Sequence, residues 1–119
     1  MEVDPPSVTV FSCVDSLDRP IAARQRRWEE HIRARHPEVA PRVAAVRATL
    51  EAPDFSVSDF DNPDGLNYDR FGALPSPYDR LYLKVVVIFH RTGFNVMGDV
   101  ITAYPTGTIA RGGNVPRLR

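Results

Sequence analysis

The chain has 119 residues, of which 43% are hydrophobic and 25% charged, the composition of a globular domain long enough to bury a core. Its 15 basic and 15 acidic side chains cancel, which argues against a general nucleic-acid binder. The single cysteine, Cys13, excludes an internal disulfide and a cysteine-based zinc site, and no apolar run approaches the ~20 residues of a membrane helix. We therefore expect one cytoplasmic domain over residues 1–119, with flexible ends at 1–6 and 105–119.

The charges are segregated along the chain. Residues 1–18 carry a net charge of −4, residues 19–50 carry +5, residues 51–79 carry −6 and residues 80–119 carry +5. Fourteen of the basic residues are arginine and one is lysine. The blocks predict local basic surfaces beside acidic ones, and the alternative is a mixed, solvated surface.

The first third of the chain predicts a strand and a helix. The sequence SVTVFSCV at 7–14 is rich in β-branched residues and predicts a strand. Asp18 suits a helix N-cap and Pro20 the first turn of a helix. We expect this first helix over 19–35, ending before Pro37, because the residue before a proline is disfavoured in the α conformation.

A second helix is predicted to begin at Pro41. Apolar residues recur at the i, i+4, i+7, i+11 spacing of one buried helical face, at Val39, Val43, Val46 and Leu50. The sequence APD at 52–54 ends this helix.

After the second helix, apolar residues recur at every second position, as in a β-strand. Residues 55–60 and 66–71 alternate on either side of the turn sequence DNPDG, which predicts a hairpin. Residues 80–90 and 94–104 predict a second hairpin, joined by a three-residue turn, RTG. The expected fold is therefore α+β, with two N-terminal helices packed on one face of a four- to five-stranded antiparallel sheet.

This register of the last hairpin makes one sheet face aliphatic and places a polar group on the other. Lys84 is expected opposite Val100, in a strand rich in valine and leucine. Because an unpaired buried cation is costly, its ammonium must reach solvent, an acid or an anionic ligand. The polar group forms a candidate anion site made of Arg80, Tyr82, Lys84, Thr102 and Tyr104.

The histidines leave several roles open. His31 and His36 are five residues apart, which does not place them on one face of an α-helix, and no His-Glu-x-x-His zinc motif is present. Packing or capping, acid–base catalysis by at least one of them, and metal binding remain alternatives. His90 is interpreted as a turn-adjacent surface residue. Four further acids are interpreted as solvated turn residues: Asp59, Asp61, Asp64 and Asp69.

Four motifs in order resemble one known family. They are WEEHIRARHPEV (with His31 and His36), VRATLEAPDF, YLKVVVIF and VITAY, and together they cover about residues 24–104. This order is similar to that of the small phage-associated domains grouped with the Barnase–EndoU–colicin–RelE type nucleases. The proline-rich loop at 72–79 and the N-terminal strand depart from the pattern. The resemblance implies two helices against an antiparallel sheet and an RNA-cleaving, toxin or phage-associated role.

Acid–base cleavage of RNA needs a base, an acid and groups that stabilise the phosphate. The candidate catalytic residues are His31, Lys84, Tyr82, Thr102 and Tyr104, and the candidate substrate-binding residues are Arg27, His36 and Arg80. No metal or cofactor is expected. The expected partners are RNA and a cognate inhibitor protein, with no membrane. The competing hypothesis is a non-catalytic protein-binding module with the same fold, which the zero net charge favours.

Overall fold

The computed structural model describes residues 8–59 and 61–107, which form a six-stranded mixed sheet and two short helices. The strands are β1 (Thr9–Val14), β2 (Pro20–Arg24), β3 (Phe55–Ser58), β4 (Gly65–Phe71), β5 (Tyr82–Thr92) and β6 (Asn95–Thr106). Helix α1 is an α-helical turn, Gln25–Arg27, that continues as the π-helical segment Trp28–Arg33, and helix α2 is Val43–Glu51. The strand order is β1-β2-β6-β5-β4-β3, with β2 parallel to β6 and every other neighbouring pair antiparallel.

The expected antiparallel sheet under two N-terminal helices is therefore wrong. The residues predicted to start the first helix, Pro20–Arg24, form β2 instead. The Asp15 carboxylate accepts hydrogen bonds from the backbone N–H groups of Leu17 and Arg19, at 2.9 and 3.0 Å, and so closes a turn between β1 and β2. Asp18, expected as an N-cap, has φ +62° inside this turn. Because of this turn, β2 runs antiparallel to β1, and the helix begins only at Gln25.

Other predicted elements are present with shifted ends. The first strand and the hairpin over 55–71 are confirmed as β1 and β3–β4. Helix α2 begins at Val43 rather than Pro41, and its predicted face is confirmed because Val46 and Leu50 are fully buried. β6 continues to Thr106, inside the end expected to be flexible. The expected flexible segment 1–6 and residues 108–119 lie outside the described residues.

The last hairpin has a different register from the predicted one. Its turn has two residues, because Thr92 pairs with Asn95 and Gly93 takes φ +67°, the positive φ of a type II′ turn. A bulge then inserts one residue into β6, since Val86 and Val87 pair with Thr102 and Val100. Lys84 consequently lies opposite Tyr104 and not opposite Val100.

The core lies between α2, helix α1 and the aliphatic face of the sheet. Leu83, Val85 and Val87 are fully buried on that face, as the sequence predicted. Trp28 is buried beside them, and its indole N–H donates to the Ala40 carbonyl at 3.2 Å. Neither helix in the described residues is long and apolar enough to cross a membrane.

Helix α1 fills an edge that β2 leaves open. In the described part of the sheet, β2 pairs with β6 at Gly98 and Asp99, and the π-helical segment contacts β6 as well. His36, three residues after this segment, stacks on Tyr104, so the end of α1 lies beside the second half of β6. This placement determines which side chains contact His31 in α1 and His36 just after it.

The turn between β1 and β2 is tied to the core by a buried carboxylate. Asp15 Oδ2 accepts hydrogen bonds from the Tyr68 hydroxyl at 2.7 Å and from Arg19 Nε at 2.9 Å. Burial alone would raise the pKa of Asp15, but the hydrogen bonds from Arg19, Tyr68 and Leu17 outweigh it and hold that pKa below its ordinary value. The carboxylate thus joins the edge hairpin to β4 in its charged form.

Removing the Tyr68 hydroxyl is expected to destabilise the protein. Tyr68→Phe leaves Asp15 with one buried partner fewer, and a hydrogen bond to a charged group contributes roughly 1.5–3 kcal/mol to the free energy of unfolding. Urea denaturation measures the change, and Tyr78→Phe serves as the control. An equal loss of stability in both variants would contradict a specific role for the bond between Tyr68 and Asp15.

Candidate functional site

The candidate site lies on the outer face of the sheet, the face opposite α2. Side chains alternate along a strand, so Lys84 points away from its buried neighbours Leu83 and Val85. The pairing of strands places Asp69 of β4 and Tyr104 of β6 on either side of Lys84. Three adjacent strands therefore each supply one polar side chain to the same row.

Lys84 forms a buried ion pair. Its Nζ lies 3.0 Å from Asp69 Oδ1 and 3.4 Å from Oδ2, and the two side chains are 5% and 0% exposed. Burial raises the pKa of Asp69 above its usual range, although the Lys84 charge and hydrogen bond oppose this. The expected alternatives for this cation were solvent, an acid or an anionic ligand, and the structure pairs it with an acid.

The interpretation of Asp69 as a solvated turn residue is wrong. Asp69 lies in the middle of β4 and is fully buried. The alternation of residues 66–71 already placed it on a strand, and a lysine inside a valine-rich strand requires an acid nearby. Combining these two signals would have identified the pair from the sequence.

Tyr104 connects the row to the end of helix α1. The His36 ring stacks on the Tyr104 ring, with centroids 5.3 Å apart and an interplanar angle of 27°. Burial, followed by the charges of Asp69 and Asp59, raises the pKa of Tyr104, so its phenol stays protonated at neutral pH. The carboxylate of Glu38 lies 3.7 Å from His36 Nδ1. His36, expected to bind substrate, thus meets the outer face directly.

The two histidines interact although their spacing did not predict it. The chain between them is π-helical through Arg33, and a π-helical turn takes more residues than an α-helical one. Residues five apart therefore lie closer together than on an α-helix. Burial, followed by the charges of Arg27, Arg35 and His36, lowers the pKa of His31. His31 and His36 thus lie within electrostatic range of each other.

Of the remaining predicted site residues, only some lie close to Lys84 and Tyr104. Thr102 lies on the outer face opposite Val86, two residues from Tyr104. Tyr82 shares this face, but its ring packs edge-on against Phe55 and Phe71, in an aromatic cluster of its own. Arg80 is exposed in the loop before β5, apart from the strand in which it was predicted.

Asn67 is a further polar residue of the outer face, and the sequence analysis missed it. It lies two residues before Asp69 on β4, is 5% exposed, and donates from Nδ2 to Asp59 Oδ1 at 3.5 Å. Its Oδ1 is buried without a hydrogen-bond partner, which is uncommon and costly in a folded protein. No composition or spacing signal marked this residue, because its importance depends on burial.

Comparison of the chain with protein-family models, curated proteins and solved structures found no significant match. The resemblance to the Barnase–EndoU–colicin–RelE type nucleases therefore stays a prediction from motifs. Among the described residues, no group of three or more histidine, cysteine, aspartate or glutamate side chains is placed to hold a metal ion. The arrangement that remains is a pair of interacting histidines, a protonated tyrosine and a buried ion pair beneath them.

Breaking the buried pair is expected to cost more stability than removing both of its charges. Lys84→Met leaves the Asp69 carboxylate buried without a counter-ion, which typically costs about 3–5 kcal/mol. The double variant Asp69→Leu/Lys84→Met should be markedly more stable than this single variant, because no charge remains buried. Guanidinium denaturation of four proteins tests this: the unmodified protein, Lys84→Met, Asp69→Leu and the double variant. A double variant that loses the sum of both single losses would rule out the coupling.

Proposed function

We propose that this protein cleaves RNA by acid–base catalysis without a metal ion, in the cytoplasm, at the surface formed by His31, His36 and Tyr104. The observation that carries the proposal is the stacking of His36 on Tyr104. This contact joins the histidines of helix α1 to the polar row of the sheet. From the sequence, the helices were expected on one face of the sheet, and their relation to the polar group was left open.

The lowered pKa of His31 favours a division of roles between the two histidines. The lowered pKa of His31 keeps its imidazole neutral at neutral pH, the form that accepts the proton of the 2′-hydroxyl. The oxygen so formed attacks the neighbouring phosphorus, and the bond to the 5′-oxygen breaks. His36 is the candidate acid that protonates this leaving oxygen. Its Nδ1 faces Glu38, so Nε2 is the nitrogen available for the transfer.

Two arginines beside His31 suit a phosphate. Arg27 and Arg35 lie four residues before and after His31, and both are exposed. Both also contribute to the lowered pKa of His31, so their charges act at its ring. Neither forms an ion pair with a carboxylate in the described structure, whereas Arg26 and Arg33 do. Unpaired guanidinium groups are free to bind phosphate oxygens in two-point geometry.

Lys84 is assigned a positioning role in this proposal rather than the catalytic role expected from the sequence. Its ammonium is engaged by Asp69 and almost fully buried, so it does not reach a substrate phosphate in this arrangement. The pair instead fixes the strand on which Tyr104 is presented to His36. Tyr104, with its phenolic proton retained, supplies a hydrogen bond or a stacking surface.

A non-catalytic protein-binding module is the second candidate. The burial of Lys84 favours it, because the lysine expected to stabilise charge is not available. Induced expression without a partner protein separates the two candidates. A cleaving enzyme should arrest growth and degrade cellular RNA, whereas a binding module should do neither.

Substitution of the histidines tests the proposed roles. His31→Ala and His36→Ala should each lower kcat/KM for RNA cleavage at least ~100-fold, the usual scale for loss of an acid or base. His90→Ala is the matched control and should cleave normally. Cleavage is measured with a fluorescent oligoribonucleotide, and thermal melts on the same samples check folding. Unchanged cleavage by both His31→Ala and His36→Ala would refute the site.

The pH profile tests the role of His31 separately. Cleavage that requires neutral His31 is lost as pH falls through its pKa, which lies below the ordinary 6.5, so the acidic limb of kcat/KM should lie below pH 6.5. Arg27→Gln and Arg35→Gln each remove a charge that lowers this pKa and should move the limb to higher pH. Arg42→Gln should leave the limb in place. A limb that stays fixed in the first two variants would exclude His31 as the base.

A further inference from the structure

The tip of the β5–β6 hairpin exposes a large aromatic side chain. Phe94 is 100% exposed, more than Leu17 at 69% or Phe71 at 53%. The neighbouring Gly93 has no atom within 4 Å of the position that a side chain would take, so the tip stands clear of the rest of the described structure. A fully exposed phenylalanine contributes nothing to the core, and its ring is open to stack on a partner.

The charges around Phe94 indicate the kind of partner. Within the hairpin, residues 80–98 contain no acidic side chain, and Asp64 of the preceding turn lines a surface pocket together with His90 and Arg91. Arg91 is exposed and forms no ion pair in the described structure, and Asn95 beside Phe94 is exposed as well. His90 Nδ1 lies 3.4 Å from Asp99 Oδ2. An aromatic ring flanked by a free guanidinium and an amide matches the groups that bind single-stranded nucleic acid, where the ring stacks on a base and the cation meets a phosphate.

We propose that this hairpin tip, residues 91–95, is a second contact for single-stranded RNA, in which Phe94 stacks on an unpaired base and Arg91 binds a phosphate. This inference rests on the proposed RNA cleavage and extends it to a stretch of RNA away from the cleaved bond. A single exposed ring is too small an apolar surface to hold a membrane by itself. An unpaired base, in contrast, needs only one ring to stack on.

The length of the hairpin predicts how much RNA is needed. Eight residues of β5 separate Lys84, which lies opposite Tyr104, from Thr92 at the turn. At ~3.3 Å per residue this is roughly 26 Å. A stacked nucleic-acid strand advances about 3.4 Å per nucleotide, so an RNA that reaches both places spans about eight nucleotides. Shorter RNA that is bound at the cleavage site does not reach the tip.

Binding of non-cleavable RNA tests the inference apart from catalysis. The probes are 2′-O-methyl oligonucleotides of about four and about twelve nucleotides. Phe94→Ala should weaken binding of the longer probe at least ~5-fold, the lower end for loss of one base–aromatic stack, and leave the shorter probe unaffected. Leu17→Ala, which removes another exposed apolar side chain, is the matched control and should change neither. Arg91→Gln should reduce the salt dependence of binding of the longer probe.

Two results would overturn the inference. One is that Phe94→Ala binds the longer probe as tightly as the unmodified protein does, or that the unmodified protein does not bind it. The other is that Phe94→Ala loses binding to phosphatidylserine vesicles and keeps binding to RNA, which would assign the tip to a membrane surface. Normal cleavage by the unmodified protein in either case would leave the proposed function standing, so the two failures are distinguishable.

Discussion

The ion pair of Lys84 and Asp69 is the constraint on which the outer face of the sheet depends. A buried charge without its counter-ion is far more costly than any alternative packing of the surrounding aliphatic residues. The pair therefore discriminates between registers of β4 and β5, because a slip by one residue would turn one partner toward the core. With these strands aligned and the bulge in β6 in place, Tyr104 stands opposite Lys84 and meets His36.

The candidate site is built by two elements of unlike character. The sheet contributes a rigid row, buried and paired, whereas helix α1 contributes half-exposed rings and unpaired arginines. The π-helical segment of α1 contacts the edge of β6 and brings His31 and His36 closer together there. The division resembles that of many enzymes, in which a stable scaffold presents groups whose protonation is adjusted by their neighbours. Here the adjustment keeps His31 neutral and Tyr104 protonated.

Sequence reasoning succeeded where the signal was local. The alternation of β3 and β4, the aliphatic face of β5 and the buried face of α2 follow from periodicity, and all three are present. It failed at residues 19–24, because Asp18 and Pro20 are as compatible with the start of a helix as with the turn and strand that the structure shows. The contacts that determine the structure of that segment are hydrogen bonds that the Asp15 carboxylate accepts from the turn and from Tyr68. Tyr68 lies 53 residues away in the chain. No window of the sequence contains both partners.

The sequence by itself determined the periodicity of the apolar residues, and hence every strand except β2, the second helix and the need of Lys84 for a partner. It also supplied histidines, arginines and a tyrosine, the residue types that the proposed acid–base chemistry uses. Only the tertiary structure decided that Asp69 is this partner and that Tyr104 lies beside it, because a two-residue turn and a bulge set the register. The approach of His36 was likewise decided by a helix that fills the edge of β6. Register and edge packing depend on long-range contacts, which no local pattern encodes.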